Sequence, residues 1–164
     1  MNNVIDIITE YANAYEKLEN FQKNNNEIIP IGDQKTGVIG EFLGAYILKT
    51  IYPKAIIELS KNHSQKGFDI SINDNKNLHY FQIKTISDYS ETGISSKVHL
   101  HFKHKTITQK LNGLLIIFLK KNLLEGKYIL LNEEEIEEFD GKRLNRNKLI
   151  NNPKTKQFKY GENL

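Results

Sequence analysis

The chain contains no cysteine. That excludes disulfides and thiolate metal ligands, and it fits a reducing cytoplasm. Long hydrophobic runs are also missing. The longest, Leu114 to Leu119, is far short of the roughly 20 apolar residues a membrane-spanning helix needs. The start, Met1-Asn2-Asn3-Val4-Ile5-Asp6, has neither a basic cluster nor an extended apolar stretch, so no signal peptide is expected. An excess of charge of one sign is missing as well, with a net +3 and a pI near 8.9. Such a balance permits nucleic-acid binding without requiring it, so the placement of the charges matters more than their sum. What is present is a chain of 164 residues, 38% hydrophobic and 26% charged. These values fit a single folded domain with one core and argue against disorder.

Hydrophobic spacing divides the chain into elements. Val4, Ile7, Ile8, Tyr11, Ala14, Tyr15 and Leu18 form a helical stripe ending near Phe21. Lys23 to Pro30 is polar and contains three consecutive asparagines, which predicts a loop. Lys35 to Ile51 reads as a second, largely buried helix stopped by Pro53. Gly37, Gly40, Gly44 and Ala45 surround Glu41 on its surface, at spacings that let the backbone approach a sheet. Strands are expected at Ala55–Leu59, Phe68–Ile72 and Tyr80–Ile86, the last two joined by a hairpin through Asn73-Asp74-Asn75. Ser87 to Ser96 reads as a loop. Further strands are expected at Lys97–Thr106, Gly113–Lys120 and Tyr128–Leu131. Asn132 can cap a helix running to Phe139, with Glu133, Glu134 and Glu135 well placed against the helix dipole. The remainder, Gly141 to Leu164, reads as polar and irregular. The order predicts one α/β (α+β) domain over 1–164: an N-terminal helix and loop (1–34), a core (35–140) and a basic C-terminal segment (141–164).

Two short segments thirteen residues apart carry the chemistry: Gly67-Phe68-Asp69 and Phe81-Gln82-Ile83-Lys84. Alternation puts Gln82 and Lys84 on one face of their strand. An acid opening one strand, a polar-x-lysine on the next and Glu41 from a helix can converge on one metal site with a lysine beside it. That combination suits metal-assisted hydrolysis of a phosphodiester. Taken alone, a strand lysine near a glutamine is most often a solvated face; the ordered set is far more specific.

These residues resemble the PD-(D/E)xK nuclease superfamily over roughly Thr36 to Thr85. The resemblance rests on Glu41 in Gly40-Glu41-Phe42-Leu43, Asp69 in Gly67-Phe68-Asp69-Ile70, and Gln82 with Lys84 in Phe81-Gln82-Ile83-Lys84-Thr85. Phe68 stands where the family has proline, and Gln82 where it has an acid. The resemblance implies a restriction-endonuclease-like core, a central mixed sheet flanked by helices. It implies Mg²⁺, with Mn²⁺ able to substitute, held by Asp69, the Gln82 side chain, the Ile83 carbonyl and Glu41. Lys84 would stabilise charge building on the phosphate. The implied activity is a metal-dependent endonuclease acting on DNA, in restriction or defence, although no residue pattern excludes RNA. A homodimer would allow two cuts in a duplex. The alternative is a nuclease-fold protein that no longer cuts and binds nucleic acid or regulates, which the glutamine at 82 favours.

Two basic clusters could hold phosphates. One is Lys97, Lys103, Lys105 and Lys110, interleaved with His99, His101 and His104; the histidines lack the acidic partners of a metal site. The other runs from Lys142, Arg143 and Arg146 through Lys148, Lys154, Lys156 and Lys159, with Phe158 and Tyr160 among them. This second segment reads equally as a flexible, solubilising end. The acidic run Glu133 to Glu138 would repel DNA and is expected to lie away from the cleft.

Overall fold

A computed structural model describes residues 2–24, 35–60, 67–75, 77–88, 97–99, 110–139 and 143–162. Helix α1 (Asn2–Asn24) and helix α2 (Lys35–Ile51) precede three strands, β1 (Ile56–Leu59), β2 (Ile70–Asn73) and β3 (Leu78–Ser87). Then come β4 (Lys97–His99), β5 (Gly113–Leu119), β6 (Glu125–Asn132), helix α3 (Glu133–Phe139), β7 (Arg143–Asn145), helix α4 (Arg146–Ile150) and β8 (Lys156–Lys159). Six strands form one mixed sheet in the order β1-β2-β3-β5-β6-β8, and β4 pairs with β7 in a separate ribbon. The architecture is α+β. Among the described strands only β3 and β5 run parallel, so the chain must cross over between them. Among the described residues no helix is long and apolar enough to cross a membrane.

The hairpin forms where the asparagines predict it. Asn75 adopts a left-handed conformation (φ 71°), which asparagine tolerates better than most residues. The Asn73 side chain accepts from the Asn75 N–H, and that of Asp74 from the Asn77 N–H. Strand β5 is buried along its whole length, as its unbroken apolar run requires. Its residues alternate between two cores. Leu115, Ile117 and Leu119 join Ile70, Ile72, Phe81 and Ile83 beneath α1 and α2. Leu114, Ile116 and Phe118 join Phe68, Ile129 and Leu131 beneath α3 and α4, through Ile136 and Leu149.

Helix α2 lies on β3 because its glycines remove the side chains that would hold it away. A Cβ at Gly40 would sit 1.7 Å from the Thr85 hydroxyl oxygen, and one at Gly44 3.0 Å from the Ile83 side chain. The ring of Tyr52, just past the helix end, meets Phe81 with centroids 6.0 Å apart. The helix therefore runs antiparallel to β3, its start over Thr85 and its end over Phe81. Helix α1 uses only half of its apolar stripe. Ile8 and Ala12 are buried and Tyr11 and Tyr15 pack beside them, whereas Val4, Ile7, Leu18 and Phe21 are exposed.

The C-terminal segment is ordered, not irregular. Strand β8 pairs with β6 and buries Phe158, and α4 buries Leu149. Asn145 caps α4 by accepting from the N–H groups of Asn147 and Lys148. Tyr160 packs against Phe42 and Tyr46 of α2, and the Tyr46 hydroxyl donates to the Glu162 carbonyl at 2.7 Å. One buried side chain in each of α4 and β8, Leu149 and Phe158, each beside a lysine, leaves too weak a periodicity to read from sequence.

Candidate functional site

Strand β2 pairs with β3 as far as Ile70 opposite Phe81, which brings Asp69 level with Gln82. The Asp69 N–H donates to the Phe81 carbonyl at 2.9 Å, and the Ser60 N–H to the Asp69 carbonyl at 2.7 Å. At that point β2 ends. The next ladder donor of β3, the Ile83 N–H, is taken by Asp69 Oδ2 at 2.7 Å. The Gln82 amide donates to the same oxygen at 2.5 Å. Asp69 is 8% exposed, so these bonds offset much of what burying a carboxylate costs. A side chain thus continues the sheet pairing where the neighbouring strand stops, and the β3 edge beyond Ile83 has no strand partner among the described residues.

Gln82 and Lys84 project from the face of β3 opposite α2. Gln82 is half-buried and Lys84 exposed. Glu41, half-buried, follows Gly40 on α2, over the other face at the level of Thr85. Asp69, Gln82 and Ile83 are therefore in direct contact, Lys84 shares a face with Gln82, and Glu41 belongs to the helix packed on the opposite face.

The donor set suits a hard cation only in part. Asp69, Glu41 and the Ile83 carbonyl offer oxygens of the kind Mg²⁺ takes. Gln82 turns its amide NH₂ toward Asp69, so its oxygen would face a cation only after the amide rotates. Among the described residues no group of three or more histidine, cysteine, aspartate or glutamate side chains could hold a metal ion.

The basic residues divide into three sets. Lys103, Lys105 and Lys142, with His101 and His104, lie outside the described residues. Lys97 and Arg143 lie on the β4–β7 ribbon, where Lys97 is opposite Asn145 and His99 opposite Arg143. The two basic clusters, far apart in sequence, thus meet in one ribbon. Lys110 and Arg146 are already paired. Lys110 Nζ is 2.7 Å from a Glu133 oxygen and 4.0 Å from one of Glu137. Arg146 donates to Asp88 at 3.0 Å and sits 5.8 Å from the Phe118 ring centre. Further along, Lys154 pairs with Glu135 at 2.6 Å, and Lys159 with Glu162.

The acidic run does not lie away from the site's face. Ile136 anchors α3 to the same side of the sheet as Gln82 and Lys84. Asn112 ties it to the near end of β3, accepting from the Tyr80 N–H and donating to Glu133. Hydrogen bonds from Lys110 and then Asn112 hold the Glu133 carboxyl below the usual range, so it stays charged at neutral pH. Arg146 reaches Asp88 at the other end of β3, so the row Tyr80, Gln82, Lys84, Ile86 lies between the acidic helix α3 at one end and the Arg146–Asp88 ion pair at the other.

No family model matches this chain, and no curated protein matches it in sequence.

Proposed function

We propose that the protein is a metal-dependent endonuclease of the PD-(D/E)xK type, acting on DNA at the open edge of β3. The observation that carries this reading is the arrangement around Asp69: a buried carboxylate bonded to Gln82 and to the Ile83 N–H, with exposed Lys84 two residues along the same face as Gln82. A Mg²⁺ or Mn²⁺ ion would be held by Asp69, Glu41, the Ile83 carbonyl and, after rotation of its amide, Gln82. Bound there, it would supply a Lewis acid for the phosphodiester and an activated water.

The chain's own residues do the rest. Lys84 offers a cation to the non-bridging phosphate oxygens, where negative charge builds in the transition state. Among the described residues Lys84 has no ion-pair partner that would compete for it. Glu41 orients the attacking water or joins the ligand set. The β4–β7 ribbon, with Lys97 and Arg143 at register positions, suits contacts to the nucleic-acid backbone, which would make binding salt-sensitive. The acidic helix α3 repels phosphates at the Tyr80 end, so a strand would approach from the Asp88 end.

The bond from Gln82 to Asp69 also favours a second reading. An amide donor satisfies the buried carboxylate as a cation would, so the site can persist without metal. On that reading the protein binds nucleic acid, or regulates, without cutting.

Incubating supercoiled plasmid with the purified protein and Mg²⁺ or Mn²⁺ separates the two. Nicking that EDTA abolishes, and that Lys84→Ala lowers by at least about a hundredfold, supports the nuclease. Salt-sensitive DNA binding without cleavage by the folded protein in either metal favours the binding module. Cleavage undiminished in Lys84→Ala would remove the site from consideration.

A further inference from the structure

A second feature lies at the end of the sheet beyond Phe81 and Leu131, bordered by residues of both faces. A cavity of about 410 Å³ opens at the C-terminal end of α2, walled by Tyr52, Phe81, Leu130 and Tyr128. Its size falls in the range of roughly 300–1,000 Å³ usual for small-molecule pockets. Gly113 helps shape it, since a Cβ there would come within 2.5 Å of the Phe81 ring.

Two polar groups in this cavity are uncommitted. Tyr128 is 5% exposed, and its hydroxyl has no hydrogen-bond partner among the described residues. The hydroxyl oxygen itself is not sealed from solvent, so it is free to donate to water or to a ligand. Burial pushes the phenol's pKa up, so it remains a protonated donor at neutral pH. Lys156 stands directly opposite Tyr128 on β8, and cross-strand neighbours project to the same face. Lys156 is exposed and has no ion-pair partner among the described residues, whereas Lys154, also on the rim, is paired with Glu135. With Lys154 and Glu135 cancelling, the lining carries one surplus positive charge.

We propose that this cavity binds a small organic anion. Its flat apolar body would lie against Tyr52, Phe81 and Leu130, and its single carboxylate or phosphate group would be held by the Tyr128 hydroxyl and the Lys156 ammonium. An O–H donor and an ammonium side by side match an anionic oxygen pair, and the aromatic walls match a planar body. The site is separate from the Asp69 cluster and does not depend on the nuclease reading. It meets that cluster at Phe81, whose carbonyl accepts from the Asp69 N–H.

The test is titration of the full chain with 2-naphthoate, followed by calorimetry, with neutral 2-naphthamide as the control and AMP as competitor. The expected result is saturable one-to-one binding of naphthoate, with the amide at least about tenfold weaker. Tyr128→Phe and Lys156→Met are each expected to weaken binding by about five- to tenfold, and Lys84→Ala to leave it unchanged. Lys156 is exposed, so its variant remains informative should Tyr128→Phe disturb folding. Displacement of naphthoate by AMP would assign a phosphate-bearing aromatic ligand, and naphthoate binding that AMP does not displace would assign a carboxylate. The proposal is overturned if neither compound binds saturably, if the amide binds as well as the acid, or if both cavity variants bind as the wild type does.

Discussion

The two faces of β3 are built from alternate residues of one strand and do opposite work. Phe81, Ile83 and Thr85 face α2, packed closely enough that a Cβ at Gly40 would collide with Thr85 and one at Gly44 would press on Ile83. Tyr80, Gln82, Lys84 and Ile86 face the other way, where α3, α4 and the ribbon cover β5 and β6. The first face supplies packing energy, and the second leaves polar groups reachable. A strand needs both. Side chains that must hold a fixed geometry are best mounted on backbone immobilised from behind.

The sharpest way to break this comparison is to truncate neighbours on opposite faces. Ile83→Ala should cost about 2–5 kcal/mol in urea unfolding, because the cavity left beneath α2 cannot fully collapse. Lys84→Ala, one residue on, should change stability by no more than about 0.5 kcal/mol while bearing the activity effect. Equal costs at the two positions would show that the faces are not distinct.

The next effect concerns the close approach itself. Gly40→Ala forces a methyl group into Thr85 and should destabilise by about 1–3 kcal/mol. Thr85→Gly in the same chain should restore part of that loss, since the two residues are in contact, and the coupling is read from a double-mutant cycle. Additive losses would mean that α2 is held off β3 by something else.

On the open face, Asp69→Ala strips the Ile83 N–H and the Gln82 amide of their acceptor and should cost about 1–3 kcal/mol, measured by thermal or urea unfolding. A neutral outcome would mean that water replaces the carboxylate at no cost.

The smallest effect lies at the acidic boundary. Asn132 and Glu135 bond each other's backbone N–H groups in a reciprocal cap, and Glu135→Ala should cost about 0.5–2 kcal/mol. Burial alone would raise the Glu135 carboxyl pKa, but the hydrogen bonds from Lys154 and the Asn132 N–H, with the lysine's charge, bring it below the ordinary value of 4.5. The folded state therefore binds this proton less readily than the unfolded chain does. The resulting stabilisation is complete above pH 4.5 and is lost as pH falls through the depressed folded value. Glu135→Gln should flatten that part of the stability-against-pH curve, and an unchanged curve would assign the acid sensitivity to other carboxylates.

Much of this was legible in the residues. Helix α2 runs from Lys35 to Ile51 as its apolar content and Pro53 predict. The Asn132 cap and the hairpin at Asn73-Asp74-Asn75 also form where the turn chemistry puts them. The thirteen-residue spacing of Asp69 and Gln82 is simply that hairpin closing. The order within 143–162 is not legible locally because Leu149, Phe158 and Tyr160 find their partners in the core beneath α3 and α4, on β6 and on α2, far away in sequence. The extent of the α1 stripe was misjudged because periodicity records which side is apolar and not how much of it the sheet reaches. The histidine segment from position 100 onward falls outside the described residues.

The sequence alone determined the local elements, through side-chain period, capping and turn residues, because those depend on neighbours within a few positions. Tertiary structure alone decided that Asp69 finishes the pairing of β3, that the basic residues near 97 and 143 share a ribbon, that an acidic helix closes the same face, and that Tyr128 and Lys156 border one cavity. Each of these joins residues whose proximity depends on sheet order and register, and these are set by burial summed over the whole chain, beyond what any local pattern specifies.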